Sequence, residues 1–524
     1  MSGQCIRKKD MDILILVGNN LQFDTRVKNH IRLIAEYADH VYISARPIPD
    51  HTIHIEEQNV ISSFFDWNPS EYSCTSKLRS IARRLEIWEI LWPVASVLLE
   101  DEYYKSEVIN GVNQFSDDLM KNEKWDEIRK GIAEEASKEQ EMGWVISFLD
   151  TSLQWAEKVI DISADIVYCN DIDTLLCGVA HKKKYGSRLI YDVHDIACDM
   201  FPRGFPRRYR DFLARYEAVL IQKIDFLISV NESAVRWLKL TYHLLVPGVV
   251  VSNCVQELQV KTVAHKMHLP LRLYYHGFCD PSRGIANMIY GISMTEDTEL
   301  VLRLLPSKYE EELRLLVSKL RLENRVRFLE PVSTEKVILA TNEDGDVGIH
   351  ASDVEECINL QLALTNKFIE YLRAGLPVIS VPSVEHSRII EKYNVGYIIP
   401  DNKPETIADA LNRMKLGKEC YEMMAINALR ASREEFATNT HRERLVKAVF
   451  NSFTEEESRK QKMEFLFSLQ YWSKEIKYLE YDIHFWQNEY LKKFEYCKGL
   501  ESDYELLKNQ MQKTFNEEVK KRKV

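Results

Sequence analysis

The stretch "NKFIEYLRAGLPVIS", residues 366–380, joins a short amphipathic helix directly to an apolar strand. The helix is expected to stop at Gly375, since glycine commonly closes a helix. Its one carboxylate is Glu370. A helix followed at once by an apolar strand is typical of chains in which the two elements alternate. The same pattern extends through most of the sequence in both directions.

Short apolar runs alternate with helical patterns in each half of the chain. Those of the first half are "DILILV", "HVYISA", "DIVYC", "RLIYDV", "DFLISV" and "GVVVSN". Those of the second half are "LRLYYHG", "ELVLRLL", "RVRFLE", "DVGIH", "PVISV" and "VGYIIP". Runs this apolar suit strands that are covered on both faces, and short connections between such strands require right-handed crossovers. The sequence therefore predicts an α/β fold with two doubly wound parallel sheets.

The chain of 524 residues is longer than one hydrophobic core usually organises. The first domain is predicted to span residues 1–258, with a helical insertion at about 66–160. The second is predicted to span 259–417, after a polar linker near 256–268. A ligand is expected in the cleft between them, outside the carboxyl ends of the strands.

Composition excludes several classes of protein. Hydrophobic residues make up 45% of the chain and charged residues 28%, which is ordinary for a soluble globular protein. The apolar run at residues 13–17 is too short for the core of a signal peptide. A net charge of −11 argues against general binding of nucleic acid. We therefore expect a cytoplasmic protein without a nucleic-acid partner.

The ten cysteines are scattered and include no CxxC pair. The closest two, Cys169 and Cys177, lack the spacing of metal ligands. Free buried thiols in a reducing compartment are the favoured interpretation. Neither disulfides nor a metal site is expected.

The insertion contains a basic amphipathic segment, "KLRSIARRLEIWEILWP", which begins at residue 77. One helical stripe holds its apolar side chains, namely Leu78, Ile81, Leu85, Trp88 and Trp92. A helix over residues 77–92 could lie peripherally on the inner face of a membrane, with tryptophans at the interface and cations on headgroups. The alternative is a helix that packs on the domain and leaves its basic face in water.

The C-terminal extension, residues 454–524, carries a heptad pattern. Apolar side chains recur at alternating spacings of three and four from Leu469 to Met511, with Lys493 as the one interruption. Such a repeat predicts a coiled coil that forms a homo-oligomer or acts as a spacer. Off-seam aromatic residues such as Tyr478 and Phe485 leave open a long helix that folds back on the globular body.

The helix of the opening stretch combines groups that suit a nucleotide. Thr365 or Asn366 can cap it, and its free N–H groups favour phosphate oxygens. Lys367 adds a cation in the first turn. Glu370, one turn later on the same side, can accept hydrogen bonds from vicinal hydroxyls. A ribose diphosphate satisfies both ends of this arrangement.

Polar residues also follow several strands of the first domain. Those at the ends of consecutive strands are Gly18, Asn19, Asn170, Asp171, Asp173, His194 and Asp195. Because carboxyl ends of parallel strands share one edge, these groups should converge on the cleft. Asp24 and Arg26 follow the first strand and are expected on the same face of the cleft. The alternative interpretation of these two residues is structural: Asp24 caps a helix, and Arg26 is exposed to solvent.

A basic cluster comes shortly after His194, in "FPRGFPRRYR", residues 201–210. Arg207 and Arg208 within it could clamp a phosphate of a ligand, as a lipid-linked pyrophosphate would require. A solvated surface loop is the equally weighted alternative.

Seven stretches in order resemble the retaining glycosyltransferases of family 4, over residues 12–453. They are "FDTRVKNHIRLIAEYADHVYISA", "ADIVYCNDIDTLLCGVAHKKKYGSRLIYDVHD", "DFLISVNESAVRWL", "VVVSNC", "YYHGFCDPSRGI", "DVGIH" and "TNKFIEYLRAGLPVIS". The resemblance implies the GT-B fold, in which two Rossmann-like domains face a cleft. It also implies that residues 418–453 cross back to the first domain.

The resemblance assigns roles to individual residues. Glu370 matches the second glutamate of the Glu-x7-Glu motif, which holds the nucleotide ribose, whereas Leu362 stands in place of the first. Arg283 matches a residue that neutralises the donor diphosphate, and Phe278 replaces the arginine that often follows Gly277. The implied donor-binding set is Gly18, Asn19, Gly277, Arg283, Asn366, Lys367 and Glu370. The implied catalytic set is His194, Asp171 and Glu370, and the acceptor-side set is Asp24, Arg26, Asn170, Asp173, Arg207 and Arg208.

The resemblance implies metal-independent, retaining transfer of a sugar from a nucleoside diphosphate donor to a glycan, lipid-linked or protein acceptor. UDP-sugars are weakly preferred over GDP-sugars as donors, and no cofactor is expected. The alternative is a catalytically weakened GT-B scaffold that recruits partners through its coiled coil. Leu362, Phe278 and the absence of glycines at Leu304 and Leu305 motivate that alternative.

Overall fold

A computed structural model gives the structure of the protein. It describes residues 11–19, 21, 24–46, 55, 57–65, 81–87, 90–91, 144–145, 147–199, 207–253, 262–354 and 357–450. The predicted coiled coil of residues 454–524 lies outside these ranges. Within them, none of the helices has the length and apolar character that crossing a bilayer demands.

The first lobe is built on a sheet of seven strands, in the order β3-β2-β1-β4-β5-β6-β7. Its strands are β1 (Asp12–Val17), β2 (His40–Ala45), β3 (Val60–Phe64), β4 (Ile166–Asn170), β5 (Arg188–Val193), β6 (Phe226–Ser229) and β7 (Gly248–Val250). Every pairing is parallel. The strand order reverses direction between β1 and β4, so a crevice opens at their carboxyl ends.

The second lobe is built on a sheet of six strands, in the order β10-β9-β8-β11-β12-β13. Its strands are β8 (Leu271–Gly277), β9 (Thr298–Leu304), β10 (Val326–Leu329), β11 (Val347–His350), β12 (Val378–Ser380) and β13 (Gly396–Ile398). All its pairings are parallel as well. The predicted α/β fold with two doubly wound sheets is therefore confirmed.

Helices cover both faces of each sheet. Those of the first lobe include Thr25–Ala35, Ile172–Tyr185, Arg207–Leu220 and Glu232–Thr241. Those that follow β8 are Ile285–Ser293, Tyr309–Lys319, Val337–Asp344, Ile358–Leu362, Asn366–Arg373, Val384–Tyr393, Pro404–Leu416, Lys418–Glu435 and Thr438–Phe450. Burial on both faces explains why the strands read as continuous apolar runs: Ile13, Leu14, Ile15, Leu16 and Val17 are each at most 1% exposed.

One strand, β3, was not predicted from its sequence. It lies at the edge of the first sheet, and four of its five residues are exposed. An edge strand with one neighbour need not be apolar on both faces, so "VISSF" lacks the signal of the inner strands.

The described part of the insertion packs into the first lobe. Ile81, Ile87 and Leu91 are at most 3% exposed and join its core. The prediction of one continuous helix over 77–92 is wrong, because the helical turn over residues 81–84 gives way to Glu86 at a φ of 55°. Arg84 pairs with Glu157. These contacts favour the packed alternative over a membrane-bound helix, although Leu78, Trp88 and Trp92 lie outside the described residues.

The end of the described chain returns to the first lobe. The helix Lys418–Glu435 packs against the second lobe through residues that include Tyr421. In the next helix, Leu445 and Phe450 are buried in the core of the first lobe. Nη1 of Arg188 donates to the carbonyl of Val449 at 3.0 Å. The last helix therefore links the two lobes on the side where the chain crosses back.

Candidate functional site

A cavity of about 940 Å³ lies between the lobes, at the carboxyl ends of both sheets. Nine members of the donor-binding, catalytic and acceptor-side sets line it: Asn19, Asp24, Arg26, His194, Gly277, Arg283, Asn366, Lys367 and Glu370. Gly18, Asn170, Asp171 and Asp173 are not among its lining residues. The side chains of Arg207 and Arg208 lie outside the description, so their acceptor-side role stays a prediction.

The helix Asn366–Arg373 forms one wall of the cavity. Its apolar face, Phe368, Ile369, Tyr371 and Leu372, is buried in the second lobe. Burial of that face turns Lys367 and Glu370 toward the cavity. Thr365 is the N-cap residue, but its side chain makes no capping hydrogen bond. The N–H groups of the first turn therefore have no side-chain cap at the cavity wall.

Glu370 contacts a residue that sequence reasoning missed. Its Oε2 lies 2.7 Å from Nε2 of His276, at the carboxyl end of β8. The Glu370 side chain is 22% exposed and that of His276 is 9% exposed. Since 94 residues separate the two, no local spacing pattern pointed to the pair. The carboxylate thus lines the cavity while one of its oxygens is already bonded.

Two cations lie beside this carboxylate. Burial, with a contribution from neighbouring Arg283, lowers the pKa of Lys367 to about 8. Nε of Arg283 is buried without a hydrogen-bond partner among the described residues. Gly277 has a φ of 119°, which L side chains rarely adopt, so glycine suits the turn beneath Lys367. Concentrated positive charge at a helix N-terminus favours an anionic ligand.

His194 faces the cavity from the first lobe. Its Nδ1 lies 3.1 Å from Oδ2 of Asp171, and its Nε2 lies 3.4 Å from Oδ2 of Asp192. Burial alone would lower the pKa of His194, but the two carboxylates outweigh it and raise that pKa well above its ordinary value. The two carboxylates therefore favour the protonated form of the ring. Asp171 contacts His194 but is not among the residues that line the cavity, so its predicted catalytic role stays a prediction.

Arg26 is held by a buried ion pair. Its Nη2 donates to both oxygens of Asp192, at 2.8 and 3.1 Å. Tyr168 donates to the same carboxylate at 2.6 Å. Despite full burial, Arg26 and His194 hold the pKa of Asp192 well below its ordinary value. Arg26 is 7% exposed, so the alternative that left it exposed is wrong.

Asp24 caps the helix that carries Arg26. Its Oδ1 accepts from the backbone N–H of Val27 at 3.0 Å, and its Oδ2 accepts from Asn19 at 2.8 Å. A carboxylate at this position is a favourable N-cap. The alternative interpretation, in which Asp24 caps this helix, is therefore correct on that point.

Three further predicted site residues, Gly18, Asn170 and Asp173, are not among those that line the cavity. Nδ2 of Asn170 donates to the carbonyl of Leu16 at 2.9 Å and joins β4 to β1. Burial raises the pKa of Asp173 to about 6. A Cβ built on Gly18 would lie 1.6 Å from Oδ2 of Asp173, so a larger residue there would displace the Asp173 side chain. These three residues support the crevice and do not line it.

Asparagines bridge the two lobes, and sequence reasoning missed two of them, Asn253 and Asn359. Oδ1 of Asn359 accepts from the N–H of Ile196 at 2.9 Å, and its Nδ2 donates to Asp195 at 2.9 Å. Asn253 donates to Asn366. Isolated asparagines carry no sequence signal, so this contact could not be predicted. Within the described ranges, no group of three or more His, Cys, Asp or Glu residues could hold a metal ion.

The Arg26–Asp192 pair gives a stability prediction. Asp192→Asn should lower the free energy of unfolding by about 3–5 kcal/mol, because it leaves a buried guanidinium without its counter-charge. The matched control is Asp161→Asn, which removes an exposed partner of Lys184 and should cost at most about 1 kcal/mol. Urea unfolding at neutral pH measures both variants. Equal losses of stability in the two would contradict a buried, mutually dependent pair.

Known proteins resemble this chain at two levels: a family model matches part of the second lobe, and solved structures share the fold of both lobes. Residues 283–431 match the family model described as glycosyl transferases group 1. No curated protein sequence matches the chain.

Solved structures with the same architecture share little sequence with this chain. Sucrose-phosphate synthase from Thermosynechococcus elongatus has a TM-score of 0.56 at 12% identity, and covers 83% of this chain and 98% of its own. HepE of Anabaena, in complex with UDP, has a TM-score of 0.53 at 14% identity, with coverages of 83% and 99%. Trehalose 6-phosphate synthase from Burkholderia multivorans has a TM-score of 0.51 at 11% identity, with coverages of 84% and 96%. Together with the two parallel sheets, these likenesses confirm the GT-B fold, and the group 1 match lies in its second lobe.

Proposed function

We propose that the protein is a retaining glycosyltransferase of family 4 that uses a nucleoside diphosphate sugar. The observation that carries the proposal is that Glu370, Lys367 and Arg283 of the second lobe line one cavity with His194 of the first. A carboxylate for ribose hydroxyls beside two cations for a diphosphate matches the two ends of such a donor. The group 1 match over residues 283–431 supports the assignment of this wall to the donor.

In this proposal the cleft stabilises the departing nucleoside diphosphate. Negative charge grows on its β-phosphate as the glycosidic bond breaks, and Arg283, Lys367 and the helix N-terminus offset that charge. A fixed cationic wall needs little rearrangement during the reaction. These residues supply the charge that the leaving group requires, so we propose transfer without a metal.

His194 is the proposed catalytic group of the first lobe. Its imidazolium has Asp171 on one nitrogen and Asp192 near the other, so it keeps its charge at the cavity wall. From there its positive charge can offset negative charge that develops on the donor as the glycosidic bond breaks. Same-face attack through an oxocarbenium-like transition state would retain the anomeric configuration.

The donor nucleotide is proposed to be UDP. HepE of Anabaena has been solved with UDP and with UDP-glucose, and it shares the fold of this chain. The acceptor is proposed to be a glycan, a lipid-linked glycan or a protein, bound on the first lobe. Arg207 and Arg208 are placed at the start of the helix Arg207–Leu220, near enough in sequence to His194 to serve a phosphorylated acceptor.

A catalytically weakened scaffold is the second candidate, and one observation favours it. Leu362, at the position of the missing glutamate, packs against Ile196 and Ile358 in an apolar contact between the lobes. An apolar interlobe contact replaces a carboxylate that would otherwise face the donor sugar. Recruitment of partners through the predicted coiled coil would then be the main function.

Calorimetric titration with UDP, GDP and ADP separates these two functions. The native chain should bind UDP saturably, and Glu370→Ala should weaken that binding by about 10- to 100-fold, the usual effect of losing hydrogen bonds to a charged group. Glu391→Ala, an exposed glutamate on the helix Val384–Tyr393, is the matched control and should change affinity less than twofold. If the native chain bound none of the three nucleotides, the scaffold would be the better account.

Lys367 makes the affinity for UDP depend on pH. Its pKa in the free protein is about 8, so its charge is lost as the pH rises through that value. Affinity should therefore fall by up to about tenfold between pH 7 and pH 9, where the UDP phosphates are already ionised. Lys367→Arg should bind with little dependence on pH, since guanidinium stays charged. An equal decline in both proteins, measured by the same titration, would assign the effect to another group.

A further inference from the structure

His276 is the one described residue that bonds directly to the Glu370 carboxylate. It stands at the carboxyl end of β8, next to Gly277, and both residues line the cavity. The group 1 match begins at residue 283, so it does not extend to this histidine. Its contact with Glu370 is a feature of this chain's own packing.

Two tyrosine rings fix the imidazole of His276. Tyr371 meets it edge-on, with ring centroids 5.3 Å apart at 87°, and the Tyr274 ring lies 5.6 Å away. Both tyrosines are themselves anchored. Tyr371 donates to the carbonyl of Ile349 at 3.3 Å, and the Tyr274 hydroxyl accepts from Arg303 at 3.3 Å. The ring therefore has a defined position from which it can orient a partner.

The hydrogen bond fixes which nitrogen carries the proton. A bare Nε2 would present its lone pair to a carboxylate oxygen 2.7 Å away, which is repulsive, so Nε2 donates to Oε2 of Glu370. Nδ1 is buried and has no partner among the described residues. An unpaired acceptor is tolerated more readily than an unpaired N–H in such a place. His276 therefore donates to Glu370 through Nε2.

We propose that His276 is a positioning residue: its hydrogen bond holds the Glu370 carboxylate in the orientation that binds the ribose of the nucleotide. By holding Oε2, it leaves Oε1 free toward the cavity. It also keeps the carboxylate from turning to Lys367, one helical turn away, with which it would form an ion pair. Glu370 and Lys367 then remain two separate contacts, one for a ribose hydroxyl and one for the diphosphate. This inference rests on the proposed function.

Paired substitutions test this role with a built-in control. In His276→Gln the amide nitrogen can reach the place of Nε2, whereas in His276→Asn it reaches only that of Nδ1. The readout is the ratio of affinities for UDP and for 2′,3′-dideoxyuridine diphosphate, which lacks the hydroxyls that Glu370 would accept from. A residue that only stabilised the fold would weaken both ligands alike and leave the ratio unchanged.

The native chain and His276→Gln should prefer UDP by about tenfold or more, and His276→Asn should lose most of that preference. In a Glu370→Ala background, His276→Asn should have no further effect, because the two residues act on the same contact. If His276→Asn kept the native ratio, the positioning role would be overturned while the proposed function stood. If the native chain bound neither nucleotide, the proposed function would fail and this inference with it.

Discussion

The site depends on one constraint, the burial of the apolar face of the helix Asn366–Arg373. Phe368 and Tyr371 are fully buried in the second lobe. Gly348 on β11 allows this approach, since a Cβ there would lie 2.3 Å from the Tyr371 ring. With one face of so short a helix fixed against the sheet, the opposite face has no freedom to rotate. Lys367 and Glu370 are consequently held at the cavity wall even without a ligand.

The first lobe meets that wall with a charge network of its own. Asp192 is fully buried, yet it stays ionised because Arg26 and His194 surround it. The same carboxylate helps to keep His194 protonated, and Asp171 fixes the other side of the ring. A buried ion pair adds little net stability compared with apolar packing, but it can hold a charged group in one geometry. In this fold the group held in place is the His194 ring, which lines the cavity opposite the proposed donor wall.

Most of the fold could be predicted from the sequence, because its inner strands are buried on both faces and read as unbroken apolar runs. The exposed edge strand β3 has no such signal. Likewise, the stripe of Ile81 and Leu85 predicted a straight helix, but a stripe alone could not reveal the turn at Glu86. Hydrophobic periodicity predicts which side chains are buried, but it does not predict where the backbone changes direction.

The candidate site was predictable where its residues follow a strand or share a helix turn. Lys367 and Glu370 share one helix, and His194 directly follows β5. Contacts between distant segments left no pattern, and His276 and Asn359 were missed for that reason. Arg26 was correctly predicted to lie at the cleft. The sequence did not reveal that its guanidinium forms an ion pair with Asp192, on a strand far away in the chain.

A crystal structure of the full chain with UDP would test the central claim most directly. The account predicts UDP in the cleft between the lobes, with a ribose hydroxyl within hydrogen-bonding distance of Oε1 of Glu370 and the β-phosphate beside Lys367 and Arg283. UDP bound elsewhere, or bound with its ribose turned away from Glu370, would contradict it.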